Sequence, residues 1–89
     1  MPLYPVFLRL DGQPCLVVGG GPVAERKVRA LLAAGARVRV VSPSLGEGLA
    51  GLAREGRILY VRRGYRPGDL AGVLLVVAAT ASPALNARI

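Results

Sequence analysis

Residues 17–27 read VVGGGPVAERK: two valines, three consecutive glycines, a proline, then a charged run. No other stretch constrains the fold as tightly. A turn after an apolar strand needs one residue of unusual φ, so one glycine would be enough. Gly19, Gly21 and Ala24 instead fit the spacing G-x-G-x-x-G/A, directly after a strand pattern and at the opening of a helix pattern. There the first glycine permits the tight turn and the second lets backbone approach a pyrophosphate. The third small residue lets the helix pack close to the strand. Phosphate oxygens would meet unpaired amides at the positive end of the helix dipole. Pro22 has no amide hydrogen, so Gly21 and Val23 are expected to supply most donors. The segment reads as a dinucleotide-binding turn. The other glycine-rich phosphate pattern, G-x-x-x-x-G-K-[ST], does not occur.

The rest of the chain supplies the setting that this motif requires. Residues 4–10 (YPVFLRL) alternate as a strand, and Asp11-Gly12 marks a tight turn. Residues 14–19 form an apolar run of the kind buried on both faces. A helix then begins at Val23 or Ala24, with Ala24, Val28, Leu31 and Leu32 on one stripe and Gly35 as its left-handed C-cap. Residues 36–42 read as the next strand. Ser44 is expected to cap a helix running to Arg54 and closed by Gly56, although Gly46, Gly48 and Gly51 weaken it. Residues 57–63 form a third strand, Pro67–Leu70 a helical turn within a loop, and residues 73–80 a fourth strand buried on both faces. Ser82 and Pro83 open a last helix as N-cap and first helical residue. Strands alternating with helices predict one α/β domain over 1–89. It is a Rossmann-like, doubly wound parallel sheet of order 3-2-1-4, with 73–79 at an edge and the remaining strands expected beyond residue 89.

Composition narrows the chemistry. Histidine is absent and Cys15 is the sole cysteine, so a Ser–His or Cys–His nucleophile is excluded and an internal disulfide cannot form. Five scattered carboxylates give no metal-binding spacing, so no metal is expected. The longest apolar run, Val73–Ala79, falls short of the ~20 residues that span a bilayer, and the N-terminus lacks a signal-peptide pattern. No membrane association and a cytoplasmic location are therefore expected. The net charge of +7 favours anionic partners. The arginines are dispersed, however, without interleaved aromatics, so nucleic acid is not an expected partner.

An acidic residue for the adenosine ribose should follow the glycines by about 20 residues. That position falls on Val41-Ser42-Pro43-Ser44, which holds no carboxylate. Ser42 and Ser44 can hydrogen-bond a ribose or a 2′-phosphate, and equally one can sit in the loop while the other caps a helix. These residues leave NAD and NADP open. Arg26, Lys27 and Arg29 lie off the apolar stripe and read as a solvated face with a Glu25–Arg29 pair. Arg62, Arg63 and Arg66 read as a solubilising loop rather than a phosphate clamp.

Two long stretches together carry a family resemblance: YPVFLRLDGQPCLVVGGGPVAERKVRALLAAGARVRVVSP and GDLAGVLLVVAATASPALNARI. They resemble the N-terminal portion of the precorrin-2 dehydrogenase / sirohydrochlorin ferrochelatase family, also found as the first module of sirohaem synthases. The resemblance implies NAD-dependent oxidation of precorrin-2 to sirohydrochlorin in sirohaem biosynthesis, and in some members insertion of Fe²⁺. Carried over, the main chain at Pro22 and Val23 would contact the pyrophosphate, Pro43 and Ser44 would border the adenosine end, and Ala79 and Thr80 would face the ribose and nicotinamide. With Gly19, Gly20, Gly21, Ala24 and Ser42 these make the expected cofactor site. Asn86 matches the pattern and is read either as serving the cofactor pocket or as bracing the helix start, the second being preferred. The family's catalytic aspartate and helical dimerisation domain would lie beyond Ile89. No residue of 1–89 is therefore expected to be catalytic, this stretch alone is expected to be inactive, and the complete protein is expected to be a homodimer. The alternative is a non-catalytic NAD(P)-binding or sensing module, which needs the same fingerprint and no catalyst.

Overall fold

Four short strands form one parallel sheet in the order β3-β2-β1-β4 in the computed structural model, which describes residues 5–80 and 82–89. The elements run β1 (Pro14–Val18), α1 (Pro22–Ala33), β2 (Arg37–Ser42), α2 (Glu47–Arg54), β3 (Leu59–Arg62), a 3₁₀ turn (Pro67–Leu70), β4 (Leu75–Ala78) and α3 (Pro83–Arg88). The register aligns Val18 with Val41 on one side and with Ala78 on the other, so three strands end at one level. β1, flanked on both edges, is buried from Cys15 to Val18.

The side chains of β1 divide between two faces, as the period of two requires. Cys15 and Val17 join Val38 and Val40 beneath Ala24, Val28 and Leu31 of α1 and Leu49 and Leu52 of α2. Leu16, Val18 and Val41 face the other way, against Val61, Tyr65, Val73, Val76 and Ile89. One face thus carries two helices, while the other is covered by the loop after β3 and the end of the described chain. Both helices of the first face stop in the same way. In α1 the Ala36 amide donates to Leu31 at 3.1 Å and the Gly35 amide to Leu32 at 3.0 Å. In α2 the Arg57 amide donates to Leu52 at 3.0 Å and the Gly56 amide to Ala53 at 3.1 Å, the paired bonds of a Schellman motif.

Three expectations change. Residues 5–10 pair with no strand, and Tyr4 lies outside the described residues. Phe7 is 103% exposed, because neither sheet edge offers its backbone a ladder. The expected turn at Asp11-Gly12 does form, and it is tied to the turn after α1 through the Gly12 amide to the Gly35 carbonyl at 2.8 Å. Ser44 does not cap α2: the N-cap is Gly46, with no side-chain bond, and its amide instead reaches the Gly20 carbonyl at 2.7 Å. The loop from β2 is thereby tied to the glycines before the helix can start. The fourth strand is half-buried rather than buried on both faces, since it lies at the edge.

Truncating Leu16, fully buried between β2 and β4, should cost about 3 kcal/mol, in the range of buried Leu→Ala changes. Phe7→Ala should change stability by less than about 0.5 kcal/mol, as exposed sites do. Urea unfolding of both variants measures the contrast. Similar losses would place residues 5–10 against the core.

Candidate functional site

The carboxyl ends of β1, β2 and β4 open into a cavity of about 570 Å³. Among the described strands the crossovers depart in opposite directions between β1 and β4, and the cavity sits above that position, where open α/β sheets bind ligands. Gly19, Gly20, Gly21, Pro22 and Val23 form its floor and the entry to α1, and Ser42, Pro43 and Ser44 one wall. Ala79 and Thr80 form the other. Ala24, the remaining residue of the expected site, is fully buried below it on α1.

The three glycines do different work. A Cβ on Gly19, whose φ is +133°, would collide with the Ala79 carbonyl oxygen. One on Gly20 would collide with the Ser44 carbonyl oxygen and lie 2.7 Å from Ser42 Oγ. Both glycines let three chain segments close on one another. Gly21 is different: it has φ −96° and ψ −164°, which any residue adopts, and a Cβ there would meet no protein atom within 4 Å. It is also the N-cap of α1, where Ser, Thr, Asp or Asn would bond the first turn, yet no side chain caps this helix. Among the described residues nothing requires glycine at 21, and its backbone lies open to the cavity.

Electrostatics agree. Among the described residues, the amides of Gly20, Gly21, Val23 and Ala24 donate to no protein acceptor; the first intrahelical bond is Glu25 to the Gly21 carbonyl at 2.9 Å. Unpaired donors at the positive end of a twelve-residue helix favour an anion.

The cavity walls are braced from behind. Ser42 is buried, and its hydroxyl donates to the Ser44 carbonyl at 2.7 Å, so its proton is committed to holding the turn. Ser44 is exposed. Asn86 grips Thr80 on three sides: Asn86 Oδ1 accepts from the Thr80 amide at 3.0 Å and from its hydroxyl, while Asn86 Nδ2 donates to the Thr80 carbonyl at 3.1 Å. The bracing expected of Asn86 therefore acts on the cavity wall. The Ser82 hydroxyl accepts from the Leu85 amide at 3.2 Å, the cap that its position predicts.

Sequence reasoning missed Gly64 and Tyr65, which close the cavity from the loop after β3. That loop is held by Arg63 and Asp69, not left as a solubilising surface. Arg63 Nη1 and Nη2 donate to the two carboxylate oxygens of Asp69 at 2.9 and 2.6 Å, and the Arg66 amide adds a third bond at 2.8 Å. Asp69 is only 7% exposed. The Arg63 guanidinium, with the Arg66 amide, holds its carboxyl at about 2, against an ordinary 3.8. Nothing local in the chain marks Arg63, six residues away, as the partner of Asp69. Elsewhere the Glu25–Arg29 pair forms at 3.0 Å on the exposed face of α1, and burial pushes the Cys15 thiol up.

With this geometry in view, known proteins supply the comparison. Residues 6–89 match the family of NAD(P)-binding domains designated NAD_binding_7. The chain belongs to that family. It is 52% identical over all 89 residues to siroheme synthase 1 of Aeromonas salmonicida (strain A449) and 51% identical to siroheme synthase of Pseudomonas putida (strain W619). It spans 19% of the length of each, about a fifth. Among solved structures, SirC, precorrin-2 dehydrogenase, superposes with a TM-score of 0.87 at 34% identity, over 96% of this chain and 43% of that one. The Rossmann-like sheet of order 3-2-1-4 is thus shared with it, and the family's cofactor class is NAD(P). No helix among the described residues is long and apolar enough to cross a membrane.

A carboxyl held at about 2 in the fold stabilises it by about 2 kcal/mol, an effect complete above about pH 4 and lost as the pH falls toward 2. Asp69→Asn should therefore cost about that much at pH 7, with the gap between variant and parent closing near pH 2. Urea titrations across this range test it; a pH-independent gap would show that charge contributes nothing.

Proposed function

We propose that residues 1–89 form the cofactor-binding domain of an enzyme that oxidises precorrin-2 to sirohydrochlorin with NAD⁺. The observation that carries the binding half of this reading is Gly21, bare without internal cause beside unpaired amides. The names of the relatives and of the structural neighbour support the substrate half. When bound, NAD⁺ supplies a ring that accepts a hydride, two electrons and a proton's worth of mass in one transfer.

This chain's own residues bind and orient. The Gly21 and Val23 amides would receive the pyrophosphate, and close approach is possible only because Gly21 has no side chain. Pro43 and Ser44 would border the adenosine. Ala79 and Thr80 would face the nicotinamide ribose, with Thr80 held in place by Asn86. Val18 and Leu85, which also line the cavity, would keep water from the reacting face. The substrate would be a tetrapyrrole carrying many carboxylates, which suits a chain of net charge +7. The complete protein is read as a cytoplasmic homodimer, with its catalytic acid outside these residues.

Gly21→Ala should weaken NAD⁺ binding at least about tenfold, while changing stability by less than about 1 kcal/mol because nothing inside the fold is displaced. Calorimetric titration and urea unfolding separate the two. A chimera in which residues 1–89 replace the matching segment of the Aeromonas protein should form NADH from NAD⁺ and precorrin-2, and the Gly21→Ala chimera should lose most of that rate. NAD⁺ binding without oxidation in the chimera would favour the non-catalytic module. No binding of NAD⁺ would overturn both.

A further inference from the structure

Glu25 stands in the first turn of α1, and its side chain reaches the first turn of α2. A Cβ added at Gly48 would collide with both carboxylate oxygens of Glu25 and with the carbon that joins them. The carboxylate therefore rests directly on the Gly48 backbone, in space that any other residue would fill. Glycine is costly in a helix of eight residues, and here its missing side chain makes room for this contact. Arg29 steadies the carboxylate from the solvent side, its Nε donating to Glu25 Oε2 at 3.0 Å. The position suits a negative charge. The N-cap of α2 is Gly46, no side chain caps it, and the amides of its first turn carry the positive end of the helix dipole.

These contacts close a ring at the rim of the cavity. From Gly21 the first turn of α1 leads to Glu25, whose amide donates to the Gly21 carbonyl at 2.9 Å. The carboxylate crosses to Gly48 in α2. That helix returns to Gly46 through the Ala50 amide, which donates to the Gly46 carbonyl at 2.9 Å, and the Gly46 amide reaches the Gly20 carbonyl at 2.7 Å. Ser44, Leu45 and Gly46, which line the cavity, are carried on this ring.

We infer that Glu25 is a positioning residue for the cofactor: by holding the amino end of α2 against that of α1, it sets the gap between the glycine amides and the Pro43–Gly46 wall. This rests on the dinucleotide reading of the cavity and concerns how its two sides are held in place. The sign of the effect separates this role from simple charge. A carboxylate in the first turn of α1 repels a phosphate at the same helix end, so as a charge alone Glu25 would weaken cofactor binding. As a positioning group it strengthens binding.

Titration of the whole chain with NAD⁺, beside urea unfolding of each variant, provides the test. Glu25→Ala should raise the dissociation constant at least about fivefold. Gly48→Ala keeps the charge, but its methyl group displaces the carboxylate. It should raise the constant by a similar factor without lowering the urea midpoint, because alanine favours a helix over glycine. The double variant should bind within about twofold of the weaker single variant, since both changes remove one contact. Unchanged or tighter binding in Glu25→Ala would overturn the inference and leave Glu25 as a charge. So would multiplied losses in the double variant, or a Gly48→Ala loss matched by a lower urea midpoint. Failure of NAD⁺ to bind the parent chain would overturn the inference together with the cofactor reading on which it depends.

Discussion

Backbone against backbone, with no side chain between, is the contact on which this structure depends. Gly19 lies against the Ala79 carbonyl and Gly20 against the Ser44 carbonyl, while the Gly46 amide bonds the Gly20 carbonyl at 2.7 Å. Three loops from three strands meet there. A methyl group at either glycine would push one of them away, and with it one wall of the cavity. The junction lies where the carboxyl ends of three parallel strands stand at one level. Gly21 then stands one residue beyond the junction, facing open space, and the helix begins immediately after it. Close packing and an open backbone thus fall to neighbouring glycines of one loop.

The cavity's remaining surfaces are stabilised by polar side chains that face away from it. Ser42 holds the β2 turn, Asn86 holds Thr80, and the Arg63–Asp69 pair holds the loop that brings Tyr65 over the second face of the sheet. Each replaces regular secondary structure where none is available. The connection from β3 to β4 is the clearest case. A crossover helix would normally cover that face, but here a 3₁₀ turn and one half-buried ion pair do so. Among the described residues no buried side-chain polar atom is left without a partner, so these braces carry no desolvation penalty from unmet bonds.

Much of this was legible in the chain because it depends on local chemistry. The glycine spacing, the stripe of Ala24, Val28 and Leu31, the terminators Gly35 and Gly56, and the Ser82-Pro83 helix start are each decided within a few residues. What was not legible depends on partners distant in sequence. Residues 4–10 alternate like a strand, yet Val6, Phe7 and Leu8 are exposed because a strand exists only when a neighbour presents its hydrogen bonds. Ser44 is a good cap by type, but the tie between Gly46 and Gly20 moves the helix start past it. Tyr65 and Gly64 carry no motif and enter the cavity only because Asp69 folds their loop back.

The chain's own pattern determined the class of fold, the strand order and the position of the bare glycine loop at the start of α1, because periodicity and glycine spacing are properties of short segments. Tertiary structure alone decided which glycines are packed against backbone and which is left open to the cavity. It also decided which arginine is neutralised and which is not. Arg62 and Arg63 are adjacent and chemically identical in the chain. One meets Asp69 and the other meets none, because successive residues at a strand's end point to opposite sides.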